Sequence, residues 1–155
     1  MSVTFQAEKM GRLLTDLLGR NVTVKVGAPP AKAYDNPVTA SYSGDNGELV
    51  AVCLCDLELT LNGGAALCMI PPYEVANCLK TKSLDPSLFE NFKEILNIFA
   101  QLFGGPNAQR VKLSSVESSP NSAAAFKAFI DQSKVRREVQ LVITGYGNGK
   151  VSVYC

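Results

Sequence analysis

Residues 85–103 read DPSLFENFKEILNIFAQLF, and this stretch combines a helix start, an apolar face and a polar stripe. Asp85 followed by Pro86 is typical of an N-cap and a first-turn proline. Apolar residues then recur every three or four positions, which predicts an amphipathic helix that ends near residue 103, before Gly104-Gly105-Pro106. Eight residues form its predicted core face: Leu88, Phe89, Phe92, Ile95, Leu96, Phe99, Leu102 and Phe103.

The opposite side of this helix carries a polar stripe. Steps of four, three and four residues align Glu90, Glu94, Asn97 and Gln101 along one line. A solvated face by itself accounts for most stripes of this kind. Asn, however, is less favourable than Lys or Gln inside a helix by about 0.5 kcal/mol. The position of Asn97 beside the carboxylate of Glu94 therefore indicates a task, and the stripe is the candidate functional surface.

Upstream of this helix, the sequence predicts a helix over residues 4–18, with Gly19 as its C-cap, and a strand over residues 21–26. A loop rich in Gly, Pro, Ala and Asp follows, up to residue 36. Residues 37–43 and 48–55 flank Gly-Asp-Asn-Gly and read as a hairpin. A third strand is expected at about 65–70, after Asn62-Gly63-Gly64, and a short helix at 73–80.

Downstream, the pattern predicts a strand over residues 110–116 and a short helix over residues 122–131. Two last strands, at about 136–144 and 150–154, are expected to join through the turn Tyr-Gly-Asn-Gly-Lys. Consecutive strands with clustered helices argue for one α+β domain over residues 1–155, with a mainly antiparallel sheet and two central helices packed on one face.

Composition excludes several classes of function. The chain has 155 residues, 46% of them hydrophobic, which suits one folded domain rather than a disordered chain. Its net charge of +1 lacks the dense basic stripe of a nucleic-acid binder. The N-terminus has no apolar segment of the secretory type, and no apolar run reaches the length of a membrane span. We therefore expect a cytoplasmic protein that binds neither nucleic acid nor membrane.

Other candidate sites have weaker support. The chain has no histidine, which removes the commonest general base and the usual catalytic triads. Its five cysteines are Cys53, Cys55, Cys68, Cys78 and Cys155. An odd number fits a reducing compartment, and a zinc site is disfavoured because no Cys-x-x-Cys pair occurs. A small basic cluster, Lys134, Arg136 and Arg137, is typical of the solvent side of an edge strand.

Glu94-Ile95-Leu96-Asn97, with Pro120 after a further 22 residues, resembles the signature of the CheC/CheX/FliY family of chemotaxis phosphatases. The resemblance covers about residues 48–120, and the single motif copy is most similar to the CheX branch. Glu90 stands at the position where the family has Asp or Ser. The resemblance implies a CheX-like fold.

The resemblance also implies a function: hydrolysis of the aspartyl phosphate on a phosphorylated response-regulator receiver domain, as in bacterial chemotaxis or two-component signalling. Glu94 and Asn97 would be the catalytic residues. Asn97 would orient the attacking water, and the Glu94 carboxylate would bind a lysine of the receiver. Glu90 and Gln101 would line the partner-binding face. The chain would need no cofactor of its own, because the Mg²⁺ belongs to the receiver.

A second hypothesis comes from a different class. The same fold can serve as a non-catalytic interaction module that uses the stripe, or an exposed sheet edge, to bind a partner or a second copy as a homodimer. Glu90 in place of Asp or Ser favours this alternative. The sequence leaves both hypotheses open.

Overall fold

The structure is a computed structural model that describes residues 3–32, 34–104 and 110–155. The strands are β1 (Thr4–Phe5), β2 (Val22–Gly27), β3 (Val38–Ser43), β4 (Leu49–Cys55), β5 (Phe103–Gly104), β6 (Lys112–Glu117), β7 (Arg136–Ile143) and β8 (Gly147–Tyr154). The helices are α1 (Met10–Leu18), α2 (Leu57–Leu67), α3 (Pro72–Thr81), α4 (Pro86–Phe99) and α5 (Lys127–Gln132). Short 3₁₀ turns lie at Ala7–Lys9, Ala100–Leu102 and Ser122–Phe126.

A six-stranded sheet organises the described residues, in the order β2-β7-β8-β4-β3-β6, and every neighbouring pair is antiparallel. The predicted hairpin is confirmed as β3 and β4, with Val38 opposite Cys55. Gly47 takes a φ of 79° in its turn, where a side chain would be strained. β1 and β5 form a separate antiparallel pair that ties the N-terminus to the end of α4. The α+β class with a mainly antiparallel sheet is thus confirmed.

One face of the sheet carries the main core. Alternate residues of the strands point to this face, and α1, α2 and α4 cover it. Its largest fully buried side chains include Tyr42, Phe92, Phe99, Met10 and Leu14. Most of the predicted core face of residues 88–103 is buried, and Phe89 is half-buried. The helix itself ends at Phe99 and continues as a 3₁₀ turn to Leu102.

The strand expected at 65–70 is wrong, because residues 57–67 form α2. Asp56 caps this helix by accepting a hydrogen bond from the Leu59 N–H at 2.8 Å. The helix lies between the sheet and α4, so residues 59–66 are all buried and no polar face marks their helical period. Gly63 and Gly64 are not a turn; they let α4 approach, since a Cβ on Gly64 would lie 2.2 Å from the Leu88 carbonyl oxygen.

The opposite face of the sheet is covered in part by the predicted 122–131 helix, found as a 3₁₀ turn followed by α5. Phe126, Phe129 and Ile130 pack there against Val52 and Leu54 of β4. The sheet therefore has helices on both faces, with the two predicted central helices, now α3 and α4, on the main side together with α2.

Several predicted boundaries shift. The first helix begins at Met10 rather than residue 4, because the chain pairs as β1 and then makes a 3₁₀ turn. Gly19 is its C-cap, as predicted, with a φ of 68°. The last hairpin turns at residues 144–146, where Gly145 has a φ of 87°, so β8 begins at Gly147. Of the predicted helix stop Gly104-Gly105-Pro106, Gly104 lies in β5, and Gly105 and Pro106 lie outside the described residues.

No helix in the described ranges is long and apolar enough to cross a bilayer.

Candidate functional site

The site is built on α4, whose start is fixed by its own sequence. The Asp85 side chain accepts hydrogen bonds from the N–H groups of Ser87 at 2.9 Å and Leu88 at 3.0 Å. Pro86 occupies the first turn, where its missing N–H costs nothing. The predicted N-cap is therefore confirmed, and it fixes where the helical rows of side chains begin.

Neighbouring elements hold α4 in place. The Asn91 amide donates to the Gly64 carbonyl of α2 at 3.1 Å. From the sheet side, the buried Tyr42 hydroxyl donates to the Leu96 carbonyl at 2.7 Å. Both bonds join the helix to buried partners, so its outer face is presented on a rigid support. The sequence pattern had given neither contact, since both depend on the unpredicted helix α2 or on the packing of β3.

Glu90, Glu94, Asn97 and Gln101 are all exposed on this outer face, as the helical spacing predicts. Glu90 differs from the others because the Lys93 ammonium lies 2.8 Å from its Oε1 atom. The same ammonium lies 4.7 Å from the centre of the Phe89 ring. Glu90 is thus partly neutralised by its own helix, whereas Glu94 forms no ion pair with any described residue.

The side chains of Glu94 and Asn97 make no hydrogen bond or ion pair within the described parts of the chain. An unengaged carboxamide offers a donor and an acceptor from the same group, and a carboxylate one turn away offers only acceptors. Such a pair can hold a water molecule and a cationic group of a partner side by side. It contains no serine, cysteine or histidine side chain.

Gln101 lies at a groove between α1 and the C-terminal end of the 85–102 helical segment. This groove has a volume of about 460 Å³ and is lined also by Lys9, Arg12 and Asp16. The stripe therefore continues onto a second helix that carries both signs of charge. Sequence analysis missed this neighbour, because the pairing of β1 with β5 joins residues that are 100 positions apart, such as Thr4 and Gly104.

Pro120, the last residue of the sequence motif, is placed elsewhere. It lines a larger cavity of about 670 Å³ together with Leu84, and none of the four stripe residues lines that cavity. Pro120 therefore adds no side chain to the stripe.

The cysteines and the basic cluster fall outside the site. Cys53 and Cys55 are buried on β4, where burial raises the pKa of both thiols. Within the described ranges, no group of three or more His, Cys, Asp or Glu residues could hold a metal ion. Arg136 stacks on the Tyr154 ring and donates to the Ile130 carbonyl at 2.6 Å.

A buried network that sequence analysis did not find lies on the opposite face of the sheet. The Tyr34 hydroxyl donates to Glu138 Oε2 at 2.6 Å and accepts from the Ser152 hydroxyl at 2.9 Å. Burial, followed by the bond to Glu138, raises the pKa of Tyr34. The network anchors the loop before β3, and each of its polar side chains has a partner. Its signal in the sequence was Glu138 within the strand predicted at about 136–144.

Comparison by sequence gives no match to a protein-family model or to a curated protein. Comparison by structure finds several similar proteins. A chain of the FliM–SpeE complex of H. pylori aligns with a TM-score of 0.60 at 11% identity, over 96% of this chain and 80% of that one. A chain of the FliG–FliM complex of H. pylori gives 0.58 at 13%, over 96% and 85%.

FliY of Thermotoga maritima aligns with a TM-score of 0.54 at 14% identity, over 96% of this chain and 83% of that one. The CheX–CheY–BeF₃–Mg complex of Borrelia burgdorferi gives a TM-score of 0.48 at 12% identity, over 95% and 92%. The fold of this chain is therefore the one found in FliM and FliY, which confirms the fold that the resemblance implied.

Proposed function

We propose that this chain docks on a phosphorylated response-regulator receiver domain through the outer face of α4 and accelerates hydrolysis of its aspartyl phosphate. The observation that carries the proposal is the exposed, unengaged pair Glu94 and Asn97 on a helix held rigidly from below. Two independent lines support it. The Glu-x-x-Asn motif resembles that of the CheC/CheX/FliY phosphatases, and the fold is shared with FliY.

Asn97 is proposed to position the water. Hydrolysis of an acyl phosphate needs mainly a water molecule held in line with the bond that breaks. The Asn97 amide can accept one hydrogen of that water and donate to the phosphoryl group, without taking up a proton. The receiver's own Mg²⁺ neutralises the phosphate charge, so the absence of histidine from this chain is compatible with the reaction.

Glu94 is proposed to fix the orientation of the partner. It lies one turn before Asn97 on the same face, so a receiver ammonium that meets the Glu94 carboxylate is held beside the amide. Glu90 contributes less, because Lys93 already pairs with it at 2.8 Å. An exposed contact of this type adds orientation and on-rate more than affinity.

The test is the dephosphorylation rate of Mg²⁺-loaded receiver domains of the same organism, charged with acetyl phosphate. Wild-type protein should accelerate the reaction for at least one receiver, and Asn97→Ala should lower that acceleration by about 100-fold. Asn77→Ala is the matched control, because Asn77 is also an exposed helical asparagine but lies on α3. Equal loss in both variants, or no acceleration by wild-type protein with any receiver, would refute a phosphatase.

A non-catalytic interaction module is the second candidate. The observation that favours it is the likeness to chains solved in the FliG–FliM and FliM–SpeE complexes, whose fold thus occurs in protein–protein assemblies. The Lys93–Glu90 ion pair also favours an interaction module, because it engages Glu90, the residue at the family's Asp or Ser position. If this candidate is right, the protein binds a receiver or another partner through the stripe but does not accelerate dephosphorylation. Asn97→Ala would then have no hydrolytic activity to lower.

A further inference from the structure

A cavity that the proposed function does not use lies away from the α4 stripe. We name it the α2–α3 groove; its volume is about 670 Å³, within the range of small-molecule and peptide sites. It is lined by the loop at 34–36, the start of α2, the end of α3 and residues 118–120. Four separate chain segments thus meet at one opening, and the proposed phosphatase function uses none of them.

The floor of the groove is apolar. Leu57, Leu79 and Leu84 line it and remain only half-buried, although each packs against the hydrophobic clusters below. Val38 lies beneath them and is fully buried. Covering such half-buried leucines would stabilise a complex, at roughly 25 cal/mol for each Å² of apolar surface removed from water.

The rim of the groove is acidic. Asp35, Asp56 and Glu58 lie on it, together with Lys82. Among the described residues, none of the four forms an ion pair. Asp56 has a structural task, since its Oδ1 accepts from the N–H groups of Leu59 and Lys150. Asp35 and Glu58 are exposed, and their side chains make no hydrogen bond to the part of the chain that the structure describes.

These two features restrict the occupant. An acidic segment would meet like charge, and a purely apolar one would cover carboxylates without giving them a partner. A lysine or arginine satisfies both features, because its methylene stem packs on leucines while its head meets carboxylates. The carboxylates come from two different segments and the cation from a third, so one small amine cannot meet them all, whereas several side chains of a peptide can.

We propose that the α2–α3 groove docks a segment of a partner protein in which arginine or lysine side chains adjoin apolar ones. The leucines take the apolar side chains and the stems, and Asp35 and Glu58 take the cationic heads. This site is separate from the stripe, so the two can be occupied together.

The test uses full-length protein and a fluorescein-labelled nonapeptide of alternating Arg and Leu, followed by fluorescence anisotropy. The peptide should bind wild-type protein, and the same peptide with Glu in place of Arg should not. The double variant Asp35→Lys/Glu58→Lys should weaken binding by about tenfold or more. The control Glu8→Lys/Glu74→Lys makes the same change of net charge at exposed residues that do not line the groove.

Glu58 lies in the first turn of α2, where a lysine destabilises the helix. If the double variant therefore unfolds at a lower temperature than wild-type protein, Asp35→Lys alone replaces it in the binding assay. Equal weakening by the groove and control variants would overturn the proposal, because binding would then follow net charge alone. Octylamine that binds as tightly as the peptide and displaces it would also overturn it, in favour of a small-molecule site. Self-association of wild-type protein that the groove variant abolishes would assign the groove to a second copy instead.

Discussion

Replacing Gly64 with alanine would place a Cβ atom 2.2 Å from the carbonyl oxygen of Leu88, at the crossing of α2 and α4. The obstacle is backbone, so no rotamer change relieves it, and the two helices must separate by about 1 Å. The separation also stretches the 3.1 Å bond from Asn91 to the Gly64 carbonyl. Overpacking of this kind costs about 1–3 kcal/mol, which outweighs the gain of up to about 1 kcal/mol from alanine's helix propensity.

The control is Gly11→Ala, the same substitution in α1. A Cβ there would meet its nearest atoms at 3.5 Å, an ordinary van der Waals contact. Gly11→Ala should therefore leave the free energy of unfolding unchanged or raise it, whereas Gly64→Ala should lower it by about 1–3 kcal/mol. Urea unfolding followed by circular dichroism measures both. Equal stability of Gly64→Ala and wild-type protein would refute the close crossing that supports α4.

Two further predictions concern titratable groups. Burial raises the pKa of the Asp56 carboxyl in the folded protein. The protonated carboxyl therefore stabilises the fold fully at a pH below the pKa of an unfolded aspartate, and this stabilisation is lost as the pH rises through the raised pKa of the folded state. Asp56→Asn, which keeps an N-cap acceptor, should match wild-type stability near pH 3 and exceed it at pH 7 in urea titrations; a constant difference would contradict this. Cys68 is exposed, whereas Cys53 and Cys55 are buried. A thiol reagent should label Cys68 first and the buried pair only on unfolding, and rapid loss of all three thiols would argue against the sheet core.

The parts of the fold that the sequence predicts correctly are those with a local signal. Asp85 and Pro86 mark the start of α4, and Gly47 permits the hairpin turn. α4 shows a clear helical period because only one of its faces is buried. Helices and strands that have one solvent-exposed face and a capping or turn residue at an end can therefore be predicted from the spacing of their residues.

The failure at α2 has a physical cause. Residues 59–66 of this helix are buried on all sides, so they show neither the period of a helix nor that of a strand. Gly63 and Gly64 look like turn residues, but their missing side chains serve contact with Ile95 and Leu88. The signal that could have corrected the prediction was Asp56, an N-cap residue directly before the run.

In the candidate site, too, the features with a local sequence signal could be predicted and those that depend on distant contacts could not. The alignment of Glu94 and Asn97 follows from helix geometry and could be predicted. The pairing of Glu90 with Lys93 is local too, at three residues, but its geometry depends on the Phe89 ring beneath the ammonium. The groove next to Gln101 could not be predicted, because α1 reaches it through contacts nearly a hundred residues apart in sequence.

The central claim is that Asn97 positions water while Glu94 orients the partner. The most direct test is the kcat and KM of receiver dephosphorylation for wild-type protein, Asn97→Ala and Glu94→Ala at saturating Mg²⁺. The claim predicts that Asn97→Ala lowers kcat by about 100-fold with KM nearly unchanged, and that Glu94→Ala mainly raises KM. Two variants with wild-type constants, or a receiver phosphate whose lifetime the wild-type protein does not shorten, would contradict it.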